Sequence, residues 1–420
     1  MVRKRPHTGR NRTTCATAAV AALSWLLPLA GPATAATAEL PLGPRSLDER
    51  RAVSKVAPGV RWTRIVRQGG PWRVNVLSIA ATARVHVSLA GETIGERARP
   101  TAVARRHRAV AAINGGYFAG DGSPAGILAA GGKLLSEPVG GRSALVPGVP
   151  PPGRVAPVRF DGAVQVRGQT HLVDGLNRLP GEIPACGGRG GDRPTERPDA
   201  VTTCTDPDEI VVFTPEWGGR TPSARGPRRD VVVRGGLVSS TRGRGDTLVP
   251  ADGFVLAGTG ATARPLRAAA QPGSPVQLDL PLRSGRVPID GATPSGIVGG
   301  GPRLLARGRI RVRSSAEGFN PLSAPWFHGS FVAARHPRTL AGVRADGRLL
   351  LVTVDGRRPG WSAGVTLNEA ARMMRSLGAR DALNLDGGGS TAMAVRGRTV
   401  NRPSDPTGER PVSDALVVLP

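Results

Sequence analysis

Two aspartates carry the clearest chemical signal in this 420-residue chain. Asp355 closes the apolar run Leu349-Leu350-Leu351-Val352-Thr353-Val354, and Asp386 closes Ala382-Leu383-Asn384-Leu385; a glycine follows each. Paired carboxylates suit glycosyl transfer to water, one serving the anomeric carbon or a water and the other the leaving group. The bland alternative is that Asp-Gly is ordinary turn chemistry. Behind Asp386 stand Gly387-Gly388-Gly389, Ser390 and Thr391. Consecutive glycines let backbone N–H groups approach an anion closely, and the hydroxyls add donors. Most such loops are only tight turns. Two further apolar runs end alike, Ala111-Ala112-Ile113-Asn114-Gly115-Gly116 and Ile297-Val298-Gly299-Gly300-Gly301-Pro302, as if several backbone turns converge on one polar cleft.

Other chemistries fit less well. Ser390 lies outside any G-x-S-x-G elbow, which argues against a nucleophilic serine. No His/Cys spacing supports zinc; no cofactor is called for, and a divalent metal on the carboxylates stays open. His86 sits in a strand pattern, His107 ends a basic helix, and His171 has no informative context. His328 and His336 flank Gly329–Arg335, and His336, two residues before Arg338, is the one to test.

The elements that position these residues follow from periodicity. Thr366 and Glu369 form a T-x-x-E capping box, and Leu367, Ala370, Ala371, Met374 and Leu377 mark one apolar face. The spacing predicts a helix over Thr366–Leu377, ended by Gly378. With the apolar runs on either side it reads as a strand–helix–strand crossover between parallel strands, delivering both aspartates to one sheet edge. A shorter helix is predicted around Thr101–Arg108. Alternation predicts strands at Val74–Ile79, Val85–Leu89, Val231–Val233 and Val276–Leu280, and a hairpin turn at Gly131-Gly132. Residues 147–158 read as a proline-dense connection. The fold class is α+β, a mixed β-sheet core with few helices and that C-terminal crossover.

Composition bounds the rest. There are 57 basic and 31 acidic side chains, for a formal charge of +26, yet only Lys4, Lys55 and Lys133 are lysines. Scattered arginines with abundant Ala, Gly and Pro are what a GC-rich genome writes by default. Aromatics make up 3 % of the chain, too few for base-stacking platforms, so nucleic acid is excluded as the main partner while a mild preference for anions survives. Arg3, Lys4, Arg5, Arg10 and Arg12, the apolar stretch Ala16–Ala30 and the small residues Ala33–Ala38 have the layout of a secretory signal peptide. Residues 1–38 are therefore read as a signal peptide, 39–60 as a poorly patterned lead-in, and 61–420 as one domain. Secretion without stable membrane insertion is expected. After cleavage Cys186 and Cys204 remain, an even pair in an oxidising compartment, and read as a structural disulfide closing a polar loop.

With these residues in view, a resemblance enters. Arg335-His336-Pro337-Arg338-Thr339, Val352–Arg357, Asn384–Thr391, Val400–Asp405 and Glu409–Val412 resemble the core of the phosphodiester glycosidase family, and Asn114–Phe118 and Gly299–Pro302 match in the same order. The likeness spans roughly residues 55–420. It implies a secreted hydrolase that cuts between an anomeric sugar carbon and a phosphodiester oxygen, releasing free sugar and a phosphomonoester. The expected substrate is a sugar-1-phosphodiester or phosphate-containing glycopolymer of bacterial wall or exopolysaccharide. Phosphate is already a good leaving group, so cationic and N–H stabilisation can partly replace a general acid. On that reading Asp386 serves the anomeric centre, Asp355 comes second, and Glu409 is either a second carboxylate or a partner of Arg410. Arg338 and Arg357 clamp the phosphate with Gly387, Gly388, Gly389 and Ser390. Asn114, Gly115, His336, Thr391, Asn401, Ser404 and Arg410 surround the substrate. The opposing class is a non-catalytic exported protein that binds wall or anionic polysaccharide.

Overall fold

A long helical stripe and a set of doubly buried strands organise the residues around the two aspartates. The computed structural model describes residues 49–68, 71–147, 153–187 and 198–420, all within one compact unit. The signal-peptide reading of 1–38, residues 39–48 of the lead-in and residues 148–152 of the proline-dense connection lie outside the described residues. The helix runs Leu367–Ser376 with Thr366 as its N-cap. The Thr366 hydroxyl accepts from Glu369 N (3.1 Å), and Glu369 Oε2 accepts from Thr366 N (2.9 Å). Such a cap contributes about 1 kcal/mol. Gly378, at φ +86°, takes the left-handed turn that ends the helix.

The helix covers one face of an eight-stranded sheet. Its order is Glu49–Ala57, Val60–Arg67, Trp72–Ile79, Leu349–Val354, Arg338–Arg344, Ala379–Asn384, Arg303–Ala306 and Arg309–Ile310. Leu350, Val352 and Val354 pack toward Leu367, Ala370, Ala371, Met373 and Met374. Leu349 and Leu351 pack the other way, into a core shared with Ile113, Met393, Val395, Leu416 and Val418. Those belong to a second sheet, ordered Arg398–Thr399, Met393–Val395, Ala111–Asn114, Asp414–Val418 and Val85–Leu89. A strand covered on both faces reads as an unbroken apolar run, which is why 349–354 shows no alternation.

Four expectations need correction. The two aspartate-bearing strands are not neighbours: Arg338–Arg344 lies between them and pairs antiparallel with both, so they share a direction and an edge but no hydrogen bonds. The core is accordingly not a mixed sheet. Every neighbouring pair in the large sheet is antiparallel, and among the described residues the parallel pairing is Gly175–Leu176 with Ile210–Phe213, in another sheet. Part of the lead-in is structural, because Glu49–Ala57 forms the edge strand against Val60–Arg67. Likewise Arg154–Pro157, in the supposed connection, pairs with Ser143–Val146.

The short helix, the hairpin and the disulfide are found as expected. The short helix is Pro100–Arg106. Gly131 and Gly132, both at positive φ, turn the hairpin between Leu128–Ala130 and Lys133–Ser136. Cys186 and Cys204 are bonded, with Cα atoms 4.9 Å apart. No helix of the described residues is long and apolar enough to cross a membrane.

Candidate active site

The register of the large sheet brings Arg338 opposite Val354, and Leu340 opposite Asn384. Asp355, Arg338 and Asp386 therefore emerge at one sheet edge. Glycines let the loops there close in on one another. A Cβ on Gly116 would sit 2.8 Å from the Gly299 carbonyl, and one on Gly300 would sit 2.6 Å from that of Asn384. The three glycine-ended runs do converge, and close backbone approach is what their glycines permit.

Asp386 is the carboxylate this arrangement presents. Asn114 Nδ2 donates to its carbonyl (2.8 Å), its own N–H donates to Gly115 O (3.1 Å), and Gly387 N donates to Oδ1 (2.8 Å). Burial pushes its pKa up to about 6, against the pull of its donors and of Arg410, and the charge of Asp414 adds to the rise. A carboxyl poised there exchanges its proton near neutral pH. Asp414 is the neighbour missed in the sequence. It is 2 % exposed, accepts from Gly116 N (2.8 Å) and from the Ser413 hydroxyl (3.0 Å), and burial raises it to about 6 as well.

Two cavities meet at Asp386. One, of about 340 Å³, is lined by Arg338, Arg357, Arg410, His336, Gly387, Gly388, Gly389, Ser330, Trp326, Phe327, Phe331 and Asp386. The other, of about 360 Å³, is lined by Tyr117, Phe118, Phe319, Phe327, Phe331, Arg142, Asp386 and segments on either side of the disulfide, Pro184-Ala185 and Ala200–Thr203. Among the described residues Asp386 is the one carboxylate lining either cavity. Phe327 stacks on Phe331 (5.0 Å) and Phe331 on Phe319 (5.2 Å), with Tyr117 5.8 Å from Phe319; Phe327 and Phe331 form the wall both cavities share, and the row continues into the second.

In the first cavity Arg338 and Arg357 are held by neutral groups and Arg410 by a carboxylate. Arg338 is 1 % exposed; its Nε donates to Val365 O (3.2 Å), its Nη2 to Phe331 O and Ala334 O, and it lies 5.0 Å above the Phe331 ring. Desolvation lowers its pKa to about 10. Arg357, at φ +57°, donates from Nε (3.2 Å) and Nη2 (3.1 Å) to His336 Nδ1. That places the His336 proton on Nε2, which donates to Ser330 O (2.5 Å). Burial, helped by the two arginines, lowers the His336 pKa and keeps the ring neutral. His336 is thus a positioning residue for Arg357. Arg410 pairs with Asp405 through two hydrogen bonds (2.8 and 3.1 Å) against Gly389, where a Cβ would collide with both side chains. The Gly387 N–H is spent on Asp386, and that of Gly388 on Pro337 O. The buried Ser390 hydroxyl bears on the Asp386 carboxyl as a hydrogen-bonding group that pulls its pKa down, while Gly389 N–H has no hydrogen-bond acceptor among the described residues.

Several expected roles are corrected. Asp355 is 1 % exposed and walled in: it accepts from Trp361 Nε1 (2.9 Å), Asn401 Nδ2 (3.2 Å) and Arg402 N (3.1 Å) and lines neither cavity. It braces the 401–402 loop. Glu409 accepts from Thr101 N and Oγ1 and from the Thr399 hydroxyl, fixing the first turn of the short helix, and does not pair with Arg410. Asn114, buried, spends its Oδ1 on Thr339 and Ala392 N, so it orients Asp386 and not a sugar. Asn401 bonds Asp355, Thr391 O and Met393 N. Gly115 lies against Asp414, Thr391 is buried beside Thr339, and Ser404 lines neither cavity. Among the described residues no cluster of His, Cys, Asp and Glu has the makings of a metal site.

Residues 228–419 match the phosphodiester glycosidase family model, a span that holds Asp386, the three cavity arginines and Asp414. Over this segment, rather less than half of the chain, the protein is similar to the phosphodiester glycosidase family. The aromatic cavity also draws on residues before 228, Tyr117, Arg142 and the disulfide flanks. The chain is similar over 91 % of its length to the crystal structure of a candidate exported protein from Burkholderia pseudomallei K96243, covering 99 % of it at TM-score 0.81 and 27 % identity. It shares the fold of a hypothetical protein from Synechocystis (TM-score 0.70, 24 % identity, 88 % of this chain and 63 % of that one). Over 84 residues it is 43 % identical to the SPbeta prophage-derived uncharacterized protein YomE of Bacillus subtilis; this covers 20 % of the chain and only 13 % of that relative.

Proposed function

We propose that this protein hydrolyses the bond between an anomeric sugar carbon and a phosphodiester oxygen. The observation that carries the reading is the position of Asp386 where an arginine-rich cavity and an aromatic one meet. The phosphodiester lies among Arg338, Arg357 and Arg410, with Gly389 N–H as a further donor. The sugar lies against the aromatic row, since apolar ring faces pack on aromatic side chains. The ionised Asp386 carboxylate acts at the anomeric centre, on the carbon itself or through a water. Negative charge builds on the departing phosphate oxygen and is met by guanidinium and N–H donors already in position, so the leaving group needs no proton. His336 holds the Arg357 fork in the orientation it needs, and Asp355 holds the loop behind it.

Bacterial wall or exopolysaccharide phosphodiesters are the proposed substrate class. Secretion is supported by the signal-like first 38 residues and by similarity to a protein named as a candidate for export. The test is incubation of the protein with a panel of sugar-1-phosphodiesters while free reducing sugar and new phosphomonoester are measured together. Equimolar appearance of both is expected. Polymer binding that persists in Asp386→Asn, with no turnover by the parent, would make this a binding protein instead.

A further inference from the structure

The aromatic cavity contains a charge that nothing yet described uses. Arg142 lines it, is 5 % exposed, and lies 4.8 Å over the Phe319 ring. Its Nε donates to the Glu317 carbonyl oxygen (3.0 Å), while neither terminal nitrogen has an acceptor among the described residues, and Nη2 is fully buried. Two carboxylates reach it through their field, Glu317 and Asp199, but neither forms an ion pair with it. Glu317 is occupied by Ser143 N, the Ser143 hydroxyl and Arg303 N, and Asp199 by Val201 N and Ser323. Burial outweighs their pull and lowers the Arg142 pKa to about 10. A guanidinium buried without a counterion is costly and is normally paired.

We infer that Arg142 is a specificity residue that receives the carboxylate of an acidic sugar, of the uronic-acid class, seated on the aromatic row. With Nε spent and Nη2 buried, Nη1 is the donor left to face the cavity, and a charge-assisted hydrogen bond from it favours a carboxylate over a neutral oxygen. The other cavity-lining polar groups near the disulfide, Thr202 and Thr203, are neutral and suit sugar hydroxyls. The inference deepens the proposed reading and rests on it for the sugar being the occupant of this cavity.

Equilibrium binding separates the two ideas because it needs no turnover. Glucuronate, glucuronamide and glucose are titrated calorimetrically into the parent, Arg142→Met and Arg142→Lys, with circular dichroism confirming that each variant is folded. The parent should bind glucuronate at least about tenfold tighter than glucose, roughly one charge-assisted contact, and glucuronamide no better than glucose. Arg142→Met should erase that preference, and Arg142→Lys should keep part of it. Equal binding of all three ligands by the parent, absence of glucuronate binding, or a preference that survives in Arg142→Met would each overturn the inference. The amide comparison stands even if a variant fails to fold. Preference for glucuronate without cleavage of any sugar-1-phosphodiester sinks the hydrolase and leaves the acidic-sugar site; cleavage without preference does the reverse.

Discussion

The two cavities on either side of Asp386 solve opposite problems. The arginine-rich one is assembled from the C-terminal half of the chain alone, on one sheet edge and the loops that leave it. Its cations are held by carbonyls, by an imidazole nitrogen and, for Arg410, by Asp405. The aromatic one is assembled from five stretches spread between residues 117 and 331, together with Asp386. It offers large rigid surfaces and, besides the shared Asp386, one charged side chain, Arg142. On the proposed reading the contrast teaches where generality and selectivity would reside: a phosphate looks alike on every phosphodiester, and the cavity proposed for it lies within the matched segment, while the cavity proposed for the variable sugar draws on residues outside that match.

The largest expected effect is at the junction itself. Asp386→Asn should fold as the parent does and lose at least ~10²-fold in kcat, the scale of losing an acid/base group; full activity would move the chemistry elsewhere. Next comes the arginine-rich side. Arg338→Lys should lower kcat/KM by roughly 10- to 100-fold, since a point charge neither spans Val365, Phe331 and Ala334 nor forks onto phosphate, while leaving binding of free monosaccharide untouched. Unchanged turnover would break the division between the cavities. His336→Leu should cost about tenfold in kcat/KM by releasing Arg357, an effect of the order of one hydrogen bond to a charged group. Loss of monosaccharide binding in that variant would argue for a contact with the sugar.

The pH dependence is subtler. The folded-state pKa of Asp386 is raised to about 6, so kcat/KM should climb as pH passes through that value and the carboxylate forms. Asp414→Asn keeps an acceptor for Gly116 N but removes a like charge, and should move that limb to lower pH. Stability runs the other way. Asp414, also raised to about 6, binds its proton more tightly folded than unfolded, so its contribution is complete below the ordinary aspartate range near 3.8 and is lost as pH rises through about 6. Asp414→Asn should therefore gain about 2–4 °C in Tm over the parent at pH 7.5 and nothing at pH 3. Equal differences at both pH values would show that Asp414 titrates normally.

How legible each part was follows from how local its causes are. The Thr366–Glu369 cap spans four residues and could be read outright. The shared edge of Asp355 and Asp386 also followed from local periodicity. Missing was the strand Arg338–Arg344 between them, whose Arg-Thr-Leu-Ala-Gly-Val-Arg has too little apolar length to declare itself. Asp355 and Glu409 look in sequence like free carboxylates. What spends them is distant, Trp361, Asn401 and Arg402 for one and Thr101 and Thr399 for the other, and no spacing rule reveals such partners. The aromatic cavity did leave a trace. Three of seven phenylalanines and one of six tryptophans fall within residues 319–331 of a chain otherwise poor in rings. Arg142 left none, because scattered arginines hide one that matters.

The covalent link between Cys186 and Cys204 bears on timing. Pro184 and Ala185 on one flank, and Ala200 to Thr203 on the other, panel the same chamber and are stitched together only once the thiols are oxidised. Reduction would remove the tie between two panels of the aromatic cavity while cutting no bond among the residues that line the arginine-rich one, so the two cavities differ in their dependence on an oxidising compartment.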